Sequence, residues 1–574
     1  MDLAFQIEGN ARHASVHAAG VVVSPGPMTD YSPLQFEPNG TKIITQFEMH
    51  ACEDVGLVKF DVLGIRNLSI LGAAVEVIEK ERETKIELDK IPLDDKKTFA
   101  MLSAGGTMGT FQLGGAGMTK WLKELKPNRV EDLMAMVALF RPGPMANIQE
   151  YIARKNKKNP VTYLHPKMEG FLDKSYGILV YQEDILFTAL ELAGYNWSTV
   201  DALRQAIGKK KPKEMAQQHE IFVEGCQKTS GISKEKAEKL WDLFVPFQGY
   251  GFNKAHAASY GIVAYQTSYL KAHYPVEYMT ALLTAESGDT DKIAEALGEC
   301  RNMKILVLFP DINESKIGFT IEKNEKSLDD RAIRFGLSAI KNLGSAAISS
   351  ILKARDLDGE FKSLSDFARR VDLQKVNKKT LESLIKAGAM DRFGRRSAML
   401  SGLEKLISDS HKLAKQVSAG QGGLFDGDQN VQSKFELPDV EEAPKEELLV
   451  WEKEFLGFYL SEHPARKALE KILDLITHEI SELTDDLHLG KSVTTGGMVG
   501  SVRKVYTRKN NEEMAFITLT GRDGGKLDCV IFPKLYSGSV KDNIVENSVI
   551  ICTGKVDNRD EKISLIVDSL RKIS

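Results

Sequence analysis

Over the first ~65 residues the apolar positions gather in short β-branched runs, at Gly20 to Ser24, Lys42 to Phe47 and Leu57 to Leu63, separated by turns with Pro and Gly. This spacing predicts three strands in one small sheet. From about Ser69 to Glu286 the period changes, and apolar residues fall three and four apart in Ile185-Leu186-Ala189-Leu190-Leu192 and Tyr265-Tyr269-Leu270, which predicts a long helical block. A short β segment is expected from about Ile305 to Glu322, around Pro310-Asp311-Ile312-Asn313. Two helix-turn-helix units follow, one with Gly336 to Gly344 ahead of its helix, the other with Val376 to Leu381 ahead of Leu384 to Gly388. Val417 to Ala443 is rich in Gly, Gln and Asp without a period and reads as a mobile linker, and Trp451 to Leu460 reads as helical. The last ~85 residues alternate short strands with Gly, Asn and Asp turns. Six strands are expected, Val493–Val499, Val502–Tyr506, Ala515–Leu519, Leu527–Phe532, Val549–Val556 and Ile563–Val567, in a small barrel of the oligonucleotide-binding kind.

A chain of 574 residues is too long for one core, and ~100 to 200 residues per domain predicts three to five domains. With 27% charged and 42% hydrophobic residues it reads as soluble and globular, and no apolar run is long enough to span a bilayer. Met1 to Phe5 lacks the features of an export signal, so a cytoplasmic location is expected. Cys52, Cys226, Cys300, Cys529 and Cys552 are scattered without a Cys-x-x-Cys pair, which argues against a zinc site or disulfide framework. The net charge of −4 hides an uneven distribution, with basic clusters at Arg154 to Lys158 and Lys209 to Lys213 and acidic pairs at Glu441-Glu442 and Glu446-Glu447.

Candidate chemistry begins in Gly56-Leu57-Val58-Lys59-Phe60-Asp61-Val62-Leu63-Gly64. Strand alternation puts Lys59 and Asp61 on one face and Val58, Phe60 and Val62 on the other, expected to be buried. The charged pair suits a divalent cation and the phosphate it coordinates, or equally a structural ion pair at a strand end. In Gly249 to Tyr260, Tyr250 and Phe252 offer stacking faces and Asn253, Lys254 and His256 offer donors at a helix start; the alternative is a capped Gly loop with an aromatic plug. Ala138 to Pro144 either aims Arg141 at phosphate or simply ends a helix. Arg204 with Lys209, Lys210 and Lys211 reads as a basic rim for phosphate or as a solvated helix end. The Leu343-Gly344 turn fits a helix-hairpin-helix, whose turn amides bind a DNA backbone without reading sequence, and the two copies match this pattern only weakly. Gln421-Gly422-Gly423-Leu424-Phe425-Asp426 has the form of a short docking peptide, or is a chance pairing of Leu and Phe.

Taken in order, these strings resemble the C-terminal part of the catalytic alpha subunit of bacterial replicative DNA polymerase III, the C-family polymerases. The resemblance rests on His17 to Val22, Gly56 to Asp61, Ile91 to Lys97, Phe111-Gln112-Leu113, Leu139 to Pro144, Gly177 to Glu183, Gly208 to Pro212, Gly249 to Tyr260, Lys271 to Pro275 and Pro310 to Asn313, and covers essentially the whole chain. It implies a multidomain α+β protein: the C-terminal part of a palm sheet over 1–68, large α-helical fingers over 69–325, a tandem helix-hairpin-helix over 326–400, a clamp-docking linker and helices over 401–490, and an oligonucleotide-binding β-barrel over 491–574.

The resemblance further implies template-directed dNTP addition to a primer 3′ end by two-metal phosphoryl transfer with Mg²⁺. Asp61 would be a catalytic metal ligand. Lys59, Arg204, Arg141, Tyr250, Asn253, Lys254 and His256 would bind the nucleotide, and Lys209, Lys210, Lys211, Lys341 and Gly344 the DNA. Gln421, Leu424 and Phe425 would grip the sliding clamp, and the implied partners are primer-template DNA, dNTP, the clamp and other replisome subunits. The family's Asp-x-Asp strand, thumb and phosphoesterase-like domain have no counterpart in this sequence, so the chain alone is expected to be inactive. Gly114-Gly115 stands where relatives usually carry Glu-Ser, and Gln205 where a second basic residue often follows Arg204. The alternative is a non-catalytic DNA-binding and clamp-tethering module.

Overall fold

The computed structural model describes residues 2–10, 15–17, 19–38, 40–209, 212–244, 252–418, 436–461, 466–483, 488–507, 510–521, 525–546, 548–559 and 562–573. The chain forms two compact units, Met1–Ser69 and Ile70–Ser574.

Among the described residues the first unit holds four strands, β1 (Gly20–Val23), β2 (Leu34–Phe36), β3 (Ile43–Thr45) and β4 (Val58–Asp61). They make two separate antiparallel ribbons, β1 with β4 and β2 with β3, where the sequence predicted one sheet of three strands. The extra strand β2 escapes the pattern because it is three residues long and follows a proline. The β1–β4 register sets Gly20 opposite Asp61 and Val22 opposite Lys59 on one face, Val21 opposite Phe60 and Val23 opposite Val58 on the other. This apolar face is not buried as expected: Val58, Phe60 and Val62 are 53%, 56% and 71% exposed. A two-stranded ribbon has no second layer of its own to cover it.

The second unit is mostly helical up to its C-terminal barrel. Helices α1 (Gln182–Ala193), α2 (Val200–Lys209) and α3 (Pro212–Ser230) close around a core that includes Ile185, Leu203, Phe222, Trp241 and Phe244. Helix α4 (Lys254–His273) follows, and Gly261 lets it lie against the helix Val130–Leu139, since a Cβ there would come within 2.5 Å of Met134 Cγ. The periodic apolar positions around Ile185 and Tyr265 fall on α1 and α4, as predicted.

The expected β segment resolves into β5 (Val307–Leu308) and β6 (Thr320–Lys323) flanking β7 (Arg331–Arg334) in a three-stranded sheet. Pro310-Asp311-Ile312-Asn313 is a turn, not a strand. The buried Asn313 carboxamide donates to Phe361 O and accepts from Phe361 N, both at 2.9 Å, and Arg355 Nη1 donates to the carbonyls of Ile312, Asn313 and Ser315. The turn thereby fixes the sheet to the helical segment that follows, whose helices include α5 (Ser345–Asp358) and α6 (Lys378–Lys386). Helix α7 (Arg396–Ser418) extends into the start of the predicted linker. Residues 436–443 of that linker are held in place: Glu442 accepts the first amides of α7, from Arg396 at 2.8 Å and Ser397 at 3.0 Å. These amides carry the positive end of the helix dipole, which favours a carboxylate there. The helix predicted to run to Leu460 stops at Leu456, because Gly457 takes a left-handed backbone and caps it.

The C-terminal barrel is closed, in the strand order β10-β12-β11-β8-β9, from β8 (Ser492–Tyr506), β9 (Glu513–Thr520), β10 (Lys526–Ile531), β11 (Val549–Arg559) and β12 (Lys562–Ile573). Five strands replace the six expected. Val493–Val499 and Val502–Tyr506 are one strand, with a register shift between Val499 and Ser501 where a turn was predicted at Gly500. A bulge bends a strand without ending it.

Candidate functional site

On the polar face of the β1–β4 ribbon, Lys59 Nζ donates to Asp61 Oδ1 at 2.5 Å. His17 Nδ1 lies 3.3 Å from the same oxygen. Gly20 makes room for this cluster, because a Cβ there would come within 2.9 Å of both Lys59 Cε and His17 Nδ1. The hydrogen bond from Lys59 holds the Asp61 carboxyl below its ordinary pKa, with a smaller pull from His17. Asp61 is about half exposed, whereas the Lys59 side chain is largely covered. The cofacial placement expected from strand alternation is present, joined by an imidazole that sequence spacing could not bring to it.

In the second unit, four strings far apart in sequence meet. The Arg141 guanidinium lies 3.9 Å from the centre of the Phe252 ring. Phe252 contacts His256 (centroids 5.3 Å), His256 contacts Tyr260 (4.1 Å), and Tyr260 contacts Phe111 (4.9 Å). The Lys254 ammonium sits 5.4 Å from the Tyr181 ring centre. A cation over an aromatic face is attracted by the ring quadrupole, so Arg141 and Lys254 are steered without spending their charge on a carboxylate. Asn253 is fully engaged: its Oδ1 accepts from His256 N at 2.9 Å, capping α4, and its Nδ2 donates to Glu183 Oε1 at 3.0 Å. Glu183 Oε2 also accepts from Lys254 N at 2.8 Å. Glu183, Phe111, Tyr181 and Tyr260 carry no role in the sequence reading; their signal is only that they fall inside, or within a residue of, the strings that meet here.

Beside Glu183, the carboxylate of Asp184 is buried and accepts from Val180 N and Tyr181 N, each at 2.9 Å. Burial raises its pKa from 3.8 to about 6, against those two amides. A carboxyl whose folded pKa lies above its unfolded value binds more protons when folded, so its contribution to stability declines as pH rises from about 4 to about 6. Asp184→Asn removes this titration. Relative to the variant, the wild-type chain is expected to lose about 2 kcal/mol between pH 4 and pH 7, measured by urea unfolding across that range.

The other candidates lie apart. Arg204 Nε donates to Asp201 Oδ1 at 2.7 Å across one turn of α2, which lowers the Asp201 pKa. Among the described residues no hydrogen bond or ion pair joins Arg204 to Arg141, Asn253, Lys254 or His256. Lys209 ends α2. Lys341 N donates to Phe455 O at 3.0 Å and its ammonium lies 3.9 Å from Glu454, while Gly344 caps α5. Tyr250, Lys210, Lys211, Gln421, Leu424 and Phe425 lie outside the described residues.

A divalent cation at Asp61 would find one carboxylate and one imidazole, and among the described residues no group of three His, Cys, Asp or Glu side chains could hold a metal ion. The described residues therefore do not by themselves make a two-metal site.

Family models match along the chain: Bacterial DNA polymerase III alpha NTPase domain over residues 1–64, Bacterial DNA polymerase III alpha subunit finger domain over 67–230, Helix-hairpin-helix motif over 304–399 and OB-fold nucleic acid binding domain over 493–573. The DNA polymerase III subunit alpha of Thermus aquaticus is 42% identical over 570 residues, covering 98% of this chain and 45% of that protein. The subunits of Bacillus subtilis and Escherichia coli K12 are 39% and 37% identical, each over 98% of this chain and 49% of the relative. The chain thus spans about half the length of the curated relatives it matches. With a relation of this extent and a finger-domain match over the residues that include Arg141 and Glu183, the chain belongs to the bacterial DNA polymerase III alpha subunit family.

Proposed function

We propose that this chain supplies one wall of the nucleotidyl-transfer site of a replicative DNA-directed DNA polymerase, together with the surface that holds the incoming dNTP. The observation that carries this reading is the Lys59–Asp61–His17 cluster on a ribbon whose opposite face, Val21, Val23, Val58 and Phe60, is 48–56% exposed. Apolar surface of this kind is ordinarily covered by more protein. In this account Asp61 is one of several carboxylates that hold Mg²⁺, and further protein with an Asp-x-Asp strand supplies the others. Lys59 offers its ammonium to the triphosphate. Arg141, Lys254 and His256 line the nucleotide-facing surface, and Tyr250, close to them in the sequence, is assigned to the same nucleotide. Asn253 shapes that surface as a cap, since both its polar groups are occupied. Arg204 adds a triphosphate contact on release from Asp201.

Template and primer DNA are held by the lysines after α2, by Lys341 and Gly344 at the hairpin turn, and by the barrel, all of which bind without a metal. The 1–68, 69–325, 326–400, 401–490 and 491–574 segments then serve as palm, fingers, helix-hairpin-helix, clamp-docking and barrel regions of a cytoplasmic replisome. Primer extension with Mg²⁺, by the chain alone and with added Asp-x-Asp protein, tests the catalytic part and separates it from a purely DNA-tethering role. For the docking part, a chain with Leu424→Ala and Phe425→Ala is expected to lose capture by an immobilised bacterial sliding clamp; undiminished capture removes Gln421, Leu424 and Phe425 from the account.

A further inference from the structure

Glu183 stands at the junction of two helix starts. Its carboxylate takes one hydrogen bond from the Asn253 side chain and one from the Lys254 backbone, 3.0 and 2.8 Å long. Beside it the two chain segments are zipped by backbone: Tyr181 bridges Phe252 in parallel, and Gln182 N donates to Phe252 O at 2.9 Å. Phe252 in turn carries the Arg141 guanidinium, and Asn253 caps the turn that holds His256. Three donors therefore converge here, the Asn253 amide and the backbone N–H groups of Lys254 and His256. Three acceptor oxygens meet them, two from Glu183 and one from Asn253.

We propose that Glu183 is a positioning residue for nucleotide binding, which fixes the start of α4 and with it the orientation of Lys254, His256, Phe252 and Arg141 without touching the nucleotide. This rests on the reading that these residues face the triphosphate. The donor count makes the role specific. In Glu183→Gln only two acceptors are left for four donors, and no flip of either amide satisfies them. In Asn253→Asp two carboxylates oppose each other. In the double variant, Glu183→Gln with Asn253→Asp, the two groups exchange places. The amide at position 183 then donates to the carboxylate at position 253 and accepts from Lys254 N, that carboxylate caps His256, and the charge of the pair is unchanged.

The test is titration of the 574-residue chain and its variants with a fluorescent deoxyadenosine triphosphate, mant-dATP, with circular dichroism to check that each variant is folded. Each single variant is expected to bind roughly tenfold more weakly or worse, the scale of a lost charge-assisted hydrogen bond, and the double variant to return to within about threefold of wild type. A double variant as weak as either single one overturns the proposal, as does unchanged binding by Glu183→Gln when Arg141→Ala weakens it. If the wild-type chain does not bind mant-dATP, or Arg141→Ala leaves binding unchanged, the underlying reading of this surface fails instead, and the role of Glu183 with it. A single variant that unfolds leaves the decision to the double variant.

Discussion

Lys271→Ala is expected to lower the unfolding free energy of the second unit by about 3 kcal/mol, because it strips the buried ammonium from a largely covered carboxylate and two partly buried carbonyls. The Lys271 side chain is 1% exposed. Its ammonium donates to Gly106 O at 2.9 Å, Met108 O at 2.8 Å and Glu299 Oε1 at 2.5 Å. Burial lowers its pKa, while Glu299 opposes that fall. Lys271 thus ties the segment before Phe111 to α4, and Phe111 contacts Tyr260 in the row that ends at Arg141. Replacing both charges with apolar groups, Lys271→Met with Glu299→Leu, is expected to recover part of the loss, since no charge is then left buried without its partner. Urea unfolding of the three chains measures both effects; a Lys271→Ala loss under about 1 kcal/mol would show that the segment is held by other contacts.

Asp61→Asn is expected to reduce nucleotide incorporation by an assembled polymerase about 10³-fold or more while leaving the unfolding midpoint of the chain where it is. The carboxylate is half exposed and, among the described residues, its partners are the Lys59 ammonium and the His17 imidazole on the same ribbon, so the fold does not depend on it. On the proposed function the chemistry does: a neutral amide would not supply the negative charge with which Asp61 would hold a metal ion. Single-turnover kinetics separate this from a binding defect, since lost transition-state stabilisation lowers kcat without a matching rise in KM.

The part of the site that was legible in the sequence is the part set by local geometry. Alternation along Val58 to Val62 was enough to place Lys59 and Asp61 together, and the Asn253 position ahead of an apolar-periodic run was enough to suggest a helix start. Pairings across long separations were not legible. His17 reaches Asp61 only because β1 pairs with β4 so that Gly20 faces Asp61, and nothing in either segment fixes that register. Glu183 meets Asn253 across 70 residues of chain. The exposure of Val58, Phe60 and Val62 escapes the sequence pattern for a related reason: alternation says that two faces differ, not that a second layer is present to cover the apolar one. In the barrel, Gly500 signalled a break, yet bulges and turns share the same residue preferences, and β9 pairs with the strand on both sides of the shift.

The central claim is that Asp61 and Lys59 form a working but incomplete wall of a polymerase site. Its most direct test is primer extension with the purified 574-residue chain, Mg²⁺ and dNTPs, with and without a polypeptide bearing the family's Asp-x-Asp strand. The account predicts no extension by the chain alone, extension in the mixture, and loss of that extension with Asp61→Asn. Robust incorporation by the chain alone that Asp61→Asn abolishes, or extension in the mixture that survives Asp61→Asn, would contradict it.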